Sequence, residues 1–151
     1  MKTETEKAYL AGIIDGEGSI MLVLRAPNNN ACDVRLVITN TSTAIVEWVK
    51  SHVSISPQIQ MWNDKKNLHW KTRITLSWYC GNAVEILREV YKYLVIKQAQ
   101  AEICLDYYDN LLMPQGSKIP VENVEKRLAL HKKLKNINKR ATPNEIARVE
   151  K

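Results

Sequence analysis

A run of nine residues near the start of the chain, LAGIIDGEG from Leu10 to Gly18, constrains the fold more than any other stretch. Residues 7–14 predict a helix, because an apolar stripe at helical spacing runs along them. The stripe is formed by Leu10, Ile13 and Ile14. Residues 19–25 are apolar and partly β-branched, which predicts a strand. The run therefore predicts a helix that passes directly into a strand.

Two further features of the run are unusual for a helix. Ala8, Gly12 and Gly16 are small residues spaced by four, and glycine inside a helix costs roughly 1 kcal/mol relative to alanine. We therefore expect a second backbone to approach closely along this face. Asp15 and Glu17 lie at the C-terminal end, where the helix dipole disfavours carboxylates. Such acids indicate a bound cation, and hard divalent ions such as Mg²⁺ take carboxylate and backbone carbonyl oxygens.

The rest of the chain predicts an α+β fold with a four-stranded sheet. Period-two alternation and turn residues predict further strands over 32–40, 58–63 and 68–79. Helical spacing predicts helices over 43–52, from Gly81 up to an interruption at residues 94–97, over 98–112, over 121–135 and from Pro143. The strands form two hairpins, with helices on one face of the sheet. A length of 151 residues suits one domain spanning the whole chain.

A sheet covered on one side leaves its other face free, and here that face is polar. It carries Arg25, Asp33, Arg35, Gln58, Gln60, His69, Lys71, Arg73 and Thr75, with Trp62 on the same register. Arg, Lys, Gln and Asp side chains can read base edges in a DNA major groove. The alternative is a polar sheet face exposed only to solvent.

The charge of the chain is concentrated near its C-terminus. Residues 1–117 carry 12 basic and 12 acidic side chains, whereas residues 118–151 carry 10 and 4 and so hold the whole net charge of +6. A basic segment of this kind favours a polyanionic partner. A solvated helix face is the alternative.

Several function classes are disfavoured by the sequence. There is no long uncharged apolar run and no signal or transit peptide, so we expect an intracellular protein that neither spans a membrane nor is secreted. Cys32, Cys80 and Cys104 fit neither a disulfide framework nor a zinc site, and we expect buried reduced thiols. The three histidines also lack zinc spacing.

The run from Leu10 to Gly18 resembles the signature of the LAGLIDADG homing endonucleases. Leu10, Ala11, Gly12, Ile14, Asp15 and Gly18 match it, and Ile13, Gly16 and Glu17 are conservative replacements. An ordinary amphipathic helix that ends in glycine is the alternative. With the order of elements, the resemblance covers about residues 7–150. It implies the αββαββα core, with a four-stranded antiparallel DNA-binding sheet and extra C-terminal helices.

The resemblance also implies an activity. Members of the family that carry one copy of the motif act as homodimers whose motif helices pack together, which here implicates Ala8, Ala11, Gly12 and Asp15. They cut both strands of a long, pseudo-palindromic DNA site and need a divalent metal. We expect Mg²⁺, with Mn²⁺ as a substitute and Ca²⁺ binding without supporting cleavage. By motif position, Glu17 and the Gly16 carbonyl are the metal ligands. Asp15 is expected to position the helix end by accepting hydrogen bonds from backbone amides.

Two further catalytic residues follow from the resemblance. Lys97, in the run LVIKQAQA, corresponds to a basic residue near the scissile phosphate; the alternative is a surface lysine at a helix start. Asn40 corresponds to a polar position that shapes the water network of the site, and its alternative is turn chemistry before a helix.

The expected DNA contacts combine the sheet face, its loops and a C-terminal segment. They are Arg25, Asn29, Asp33, Arg35, Gln58, Gln60, Trp62, Lys65, Lys66, His69, Lys71, Arg73, Asn138, Lys139 and Arg140. No small-molecule substrate is expected. A second hypothesis is a non-catalytic nucleic-acid-binding module on the same fold, either a maturase that binds intron RNA or a DNA-binding regulator. A third is an unrelated α+β protein with a basic tail.

Overall fold

The computed structural model describes residues 3–25, 31–63, 71–113 and 119–139. Helix α1 spans Glu4–Glu17, which extends the predicted helix at both ends. Its first turn is a capping box, in which the Glu6 amide donates to Thr3 Oγ1 at 3.2 Å and the Thr3 amide donates to the Glu6 carboxylate at 3.1 Å. These two bonds satisfy amides that a helix start otherwise leaves without partners.

The remaining elements follow the predicted order. Strand β1 is Gly18–Leu24, β2 is Cys32–Asn40, α2 is Thr43–His52, β3 is Gln58–Trp62, β4 is Arg73–Tyr79, α3 is Cys80–Val90, α4 is Gln98–Asp106 and α5 is Val121–Ile137. A 3₁₀ turn at Tyr91–Tyr93 and the segment 94–97 separate α3 from α4, as predicted. Among the described residues no helix is long and apolar enough to cross a membrane.

The four strands form one antiparallel sheet in the order β1-β2-β4-β3. Strands β1 and β2 form one hairpin, in which Gly18 pairs with Ile38. Strands β3 and β4 form the other, and β2 and β4 join the two hairpins at the centre. The predicted α+β class and its four-stranded antiparallel sheet are confirmed.

The core lies between one face of the sheet and the helices. Leu36 and Leu76 at the centre of the sheet are fully buried, and Leu10 and Ile14 of α1 are buried with them. Every residue of β3 is exposed, so the covering layer of helices ends at β4. The alternation that the sequence predicts therefore separates a covered face from an open face across β1, β2 and β4.

The C-terminal helices differ from the prediction in two places. The predicted helix over 98–112 is α-helical only to Asp106 and continues as a π-helical turn over Tyr107–Leu111. Tyr107 is buried, and its hydroxyl both accepts from the Cys32 amide at 2.9 Å and donates to the Cys32 carbonyl at 2.8 Å. A buried tyrosine needs such partners, so its position is set by β2. Helix α5 continues to Ile137, beyond the predicted end at 135, because its last turn is packed against β1.

Two predicted elements lie partly or wholly outside the described residues. Strand β4 begins at Arg73 rather than at residue 68, and residues 64–70 lie outside the described part of the chain. The helix predicted from Pro143 also lies outside it. Cys32 and Cys104 are buried as expected, and burial raises the pKa of Cys32 to about 11 and that of Cys104 to about 12. Cys80 is only half-buried.

Gly18 is the glycine on which the junction of α1 and β1 depends. Its amide donates to the Ile14 carbonyl and closes the helix. A Cβ atom at this position would lie 2.6 Å from the Ile14 oxygen and 2.9 Å from the Ile14 Cα. Backbone atoms cannot move aside as a flexible side chain can, so only glycine fits at this junction.

We therefore expect Gly18→Ala to lower the free energy of unfolding by about 1–3 kcal/mol, the usual cost of overpacking. The matched control is Gly81→Ala. The nearest atom to its added Cβ is the Tyr108 hydroxyl at 3.0 Å, which is the end of a side chain and can shift. Urea unfolding followed by circular dichroism measures both. Equal stability of the two variants would contradict the constraint at Gly18.

Candidate functional site

The C-terminal end of α1 presents one free carboxylate. Glu17 is the last residue of the helix and is exposed. Within the described residues it has no hydrogen-bond or ion-pair partner. Gly16 beside it is exposed as well, and a Cβ placed on Gly16 would meet nothing within 4 Å. An acid and a backbone carbonyl are thus open to a ligand at this helix end.

Asp15 in the same turn is turned inward and holds a distant segment. One carboxylate oxygen accepts from the Val95 amide at 2.8 Å, and the other accepts from the Lys97 amide at 2.8 Å. The predicted role of Asp15, which was to bond backbone amides, thus has named partners some eighty residues along the chain. Hydrogen bonds to a charged group are worth about 1.5–3 kcal/mol, so Asp15 fixes this segment against α1.

Lys97 returns a bond to the same helix end. Its half-buried side chain donates from Nζ to the backbone carbonyl of Asp15. The last carbonyls of a helix have no partner within the helix, and the dipole favours a cation there. The structure therefore brings Lys97 and Glu17 to one place, although the sequence separates them by eighty residues.

Asn40 lies at the end of β2, two residues beyond the partner of Gly18. Its side-chain oxygen accepts from the Ser42 amide at 2.8 Å, which is the turn before α2. The alternative interpretation, turn chemistry, is therefore present in the structure. This bond leaves the Asn40 side-chain amide available, but commits its oxygen.

The donor set at the end of α1 matches Mg²⁺ in type but not in number. Glu17 and the Gly16 carbonyl are both hard oxygen ligands of the kind that Mg²⁺ prefers. Within the described ranges, however, no group of three or more His, Cys, Asp or Glu side chains could hold a metal. The described residues therefore place two oxygen ligands at this helix end, fewer than the octahedral coordination of Mg²⁺ requires.

The open face of the sheet carries most of the predicted DNA-contacting residues. The strand register places Asp33, Arg35, Gln58, Gln60, Trp62, Arg73 and Thr75 on this face. Trp62, at the edge strand, has 59 % of its surface exposed. Lys71 is described and exposed just before β4. Asn29, Lys65, Lys66, His69 and Arg140 lie outside the described residues.

Two of these side chains are paired with each other. Asp33 Oδ1 accepts from Arg25 at 2.5 Å, and the thiol of Cys80 donates to the same oxygen at 3.1 Å. Burial would raise the pKa of Asp33, but the hydrogen bonds from Arg25 and Cys80 outweigh it and hold that pKa below its ordinary value. Burial and the Asp33 bond raise the pKa of Cys80, so the thiol stays protonated at neutral pH.

The sequence did not predict the bond between Cys80 and Asp33. Cys80 adopts a positive φ of 48° at the junction of β4 and α3. Non-glycine residues seldom adopt such a backbone conformation. Nothing in the local sequence signals the contact, because Asp33 and Cys80 are 47 residues apart.

The basic C-terminal segment is used partly for structure. His131 bonds the Leu22 carbonyl through Nδ1 at 2.9 Å. The Asn138 amide donates to the Ile20 carbonyl at 2.9 Å. Both carbonyls lie on the outer edge of β1, so α5 covers an edge that would otherwise present unpaired groups. Lys139 is exposed beyond the end of α5, where a phosphate contact remains open to it.

The predicted interface residues on α1 fall into two groups. Ala8 and Gly12 are exposed, and a Cβ on Gly12 would meet nothing within 4 Å. Ala11, in contrast, is fully buried inside its own chain. The expectation that Ala11 lies in an interface is therefore corrected, because its position on the helix points into the core. Asp15 is committed to its own chain.

A neighbouring apolar pair was missed at the sequence level. Val95 is 85 % exposed and Ile96 is 68 % exposed, on the segment that Asp15 holds. The Val95 amide is bonded to Asp15, so these exposed apolar side chains lie near the C-terminal end of α1. The only signal in the sequence was the apolar run that precedes Lys97, which could equally have been buried.

Comparison with known proteins gives matches among solved structures alone. No protein-family model matches the chain, and no curated protein matches it. The homing endonuclease I-CvuI in complex with its target is similar over 91 % of this chain and 85 % of its own, with 17 % identity and a TM-score of 0.68. The archaeal intron-encoded I-Vdi141I, complexed with DNA, is similar over 92 % and 87 %, with 15 % identity and a TM-score of 0.69.

The LAGLIDADG endonuclease I-SmaMI, bound to cleaved DNA, is similar over 96 % of this chain and 47 % of its own, with 18 % identity and a TM-score of 0.61. The chain has the LAGLIDADG fold. The resemblance in the sequence from Leu10 to Gly18 and the architecture agree. In this fold the motif from Leu10 to Gly18 forms the C-terminal half of α1 and its junction with β1, and it includes the free Glu17.

The Asp15 contacts generate a prediction about local stability. Asp15→Ala should speed hydrogen exchange at the Val95 and Lys97 amides, because both lose their acceptor, and should lower the free energy of unfolding by about 1.5–3 kcal/mol. Asp109→Ala is the control, because Asp109 forms an exposed salt bridge with Arg88, and such pairs are worth about 0–1 kcal/mol. Unchanged protection of Val95 and Lys97 in Asp15→Ala would show that another contact holds the segment.

Proposed function

We propose that this protein is a site-specific, metal-dependent endonuclease that cuts both strands of DNA as a homodimer on a long pseudo-palindromic target. The observation that supports this most is the free carboxylate of Glu17 at the end of α1, beside an exposed face of small residues, in the LAGLIDADG fold. The solved relatives with this fold are homing endonucleases in complexes with DNA.

A homodimer explains both the incomplete metal site and the exposed face. If two copies pair along Ala8 and Gly12, each brings one Glu17 towards the symmetry axis, as an isologous interface requires. Val95 and Ile96 extend the same surface with apolar area. Two carboxylates that meet at an axis repel each other unless a cation lies between them. Such a dimer would therefore bring the oxygens of two helix ends to one cation site.

The roles of the residues follow from their positions. Gly16 O and Glu17 would hold Mg²⁺, which when bound activates a water and stabilises the leaving 3′ oxygen. Mn²⁺ should substitute, and Ca²⁺ should support binding without cleavage. Lys97 keeps a positive charge at the same helix end, where it would stabilise charge on the cleaved phosphate. Asp15 acts as a positioning residue for Lys97.

The open face of the sheet would lie in the major groove, with one half-site for each subunit. We propose that Arg35 and Arg73 contact guanine there, because arginine pairs with two acceptors of that base. Exposed lysines near the C-terminus, including Lys139, would contact phosphates and set the position of the duplex. Such contacts make binding depend strongly on salt.

Replacement of Glu17 by glutamine separates cleavage from binding. Glu17→Gln keeps the size of the side chain but removes the charge that holds the cation, so cleavage in Mg²⁺ should fall by several orders of magnitude. Affinity for the target in Ca²⁺ should persist. The control is Glu47→Gln, an exposed carboxylate on α2, which should leave cleavage unchanged. A Glu17→Gln protein that cuts at the wild-type rate would favour the non-catalytic binding module.

Replacement of Gly12 tests the dimer without disturbing the chain. Because a Cβ at Gly12 meets open space in one chain, Gly12→Leu should fold but keep two α1 helices apart. We expect a monomer in light scattering, with the circular dichroism of the wild type. Ala44→Leu, at an exposed position on α2, is the control and should remain a dimer. A folded Gly12→Leu dimer would remove α1 from the interface.

A further inference from the structure

The open face of the sheet contains one residue that is buried although no helix covers it. Ser77, in the middle of β4, is only 2 % exposed. Its backbone pairs with Val37 on one side and Gln58 on the other. Because serine is short, the longer side chains around it on the same face shield its hydroxyl from solvent.

The Ser77 hydroxyl has no hydrogen-bond partner within the described residues. A buried polar atom without a partner is destabilising, and such atoms are rare in folded proteins. Alanine at this position would avoid that loss, so the packing of the free chain gives no reason for a serine here. A partner that arrives only on binding would supply one.

A second such atom lies close by. Arg35 Nε is also buried and without a partner in the described part of the chain. Arg35 pairs with Tyr79 across β2 and β4, so Arg35 and Ser77 are diagonal neighbours on one face. Diagonal neighbours on a sheet are within reach of a long side chain. Nε–H is a donor and the serine oxygen is an acceptor, so each lacks what the other offers.

Arg35 is held elsewhere in the free chain. Its guanidinium lies over the ring of Tyr79, with Cζ 5.0 Å from the ring centroid. No carboxylate among the described residues pairs with it, in contrast to Arg25, which Asp33 neutralises. Arg35 therefore keeps an uncompensated charge and a stacked position that it can leave.

We propose that Ser77 is the positioning residue for Arg35 when Arg35 contacts DNA. Arg35 leaves the Tyr79 ring, and its Nε–H donates to Ser77 Oγ. That bond holds the guanidinium by its inner edge, so the two outer nitrogens point away from the sheet. A planar fork fixed in this way matches O6 and N7 of guanine.

This inference rests on the proposed function, because it names the base pair that the sheet reads there. It predicts that one position in each half-site is a G·C pair and that Ser77 contributes to that preference without touching the base. It also predicts that these two atoms lower the stability of the free protein, because both are buried there without partners.

The experiment selects binding sites from a randomised duplex library in Ca²⁺, with the wild type, Arg35→Ala, Ser77→Ala and the double variant. The wild type should prefer G·C at one position of each half-site. Arg35→Ala should lose that preference by about 5- to 150-fold, the range of a bidentate contact. Ser77→Ala should lose it at the same position, and the double variant should lose no more than Arg35→Ala alone.

Thermal unfolding supplies a second readout. Ser77→Ala should melt no lower than the wild type, because its hydroxyl bonds nothing in the free chain. The control is Thr39→Val on the same face, which removes a hydroxyl that lies 3.1 Å from the Thr75 hydroxyl. Thr39→Val should melt lower and keep the G·C preference.

The outcomes separate the two proposals. A Ser77→Ala protein with the full preference, a loss at a different position, additive losses, or a lowered melting temperature would each overturn the role of Ser77 and leave the endonuclease proposal intact. A wild type that enriches no sequence at all would overturn the DNA-binding proposal, and this inference with it.

Discussion

The site depends on two hydrogen bonds that the Val95 and Lys97 amides donate to the Asp15 carboxylate. They join the end of α1 to the segment between α3 and α4, whose Leu94 is buried in the core. The bond from Lys97 Nζ to the Asp15 carbonyl completes the connection. Because Asp15 is used inside the chain, Glu17 is the acid of the motif that remains free. The two carboxylates at this helix end thus differ: Asp15 is structural, and Glu17 can bind a ligand.

The two faces of the sheet also differ in burial, and the arginines on its open face differ in their partners. Alternation along β2 and β4 buries Leu36 and Leu76 under the helices and leaves polar side chains opposite them. On that open face, Arg25 is paired with Asp33, whereas Arg35 is stacked on Tyr79 without an acid. An arginine paired with a carboxylate is neutralised and fixed in place. An arginine on an aromatic ring keeps its charge. Arg25 is therefore suited to holding the sheet together, and Arg35 is suited to binding an external ligand.

The basic C-terminal helix is less available for a polyanion than its charge suggests. Arg127 is buried, and it donates to the Leu111 carbonyl at the end of the π-helical turn. His131 and Asn138 bond the outer edge of β1. These three polar residues of α5 are therefore used for contacts within the chain. The exposed lysines of the same helix are what remains for contacts outside the chain.

The sequence by itself determined the order of elements, which residues of each strand share a face, and the identity of the motif, since period two, helical spacing and turn residues are local properties. The pairing register and the strand order came from the tertiary structure. The sequence also predicted that Asp15 bonds backbone amides. Only the tertiary structure decided which amides these are, that Ala11 faces the core, and that Val95 and Ile96 are exposed. It likewise revealed the orphaned pair of Arg35 and Ser77 and the turn at Cys80. The physical reason is that these features depend on contacts between residues forty or more positions apart, and on which side of an element the rest of the chain covers.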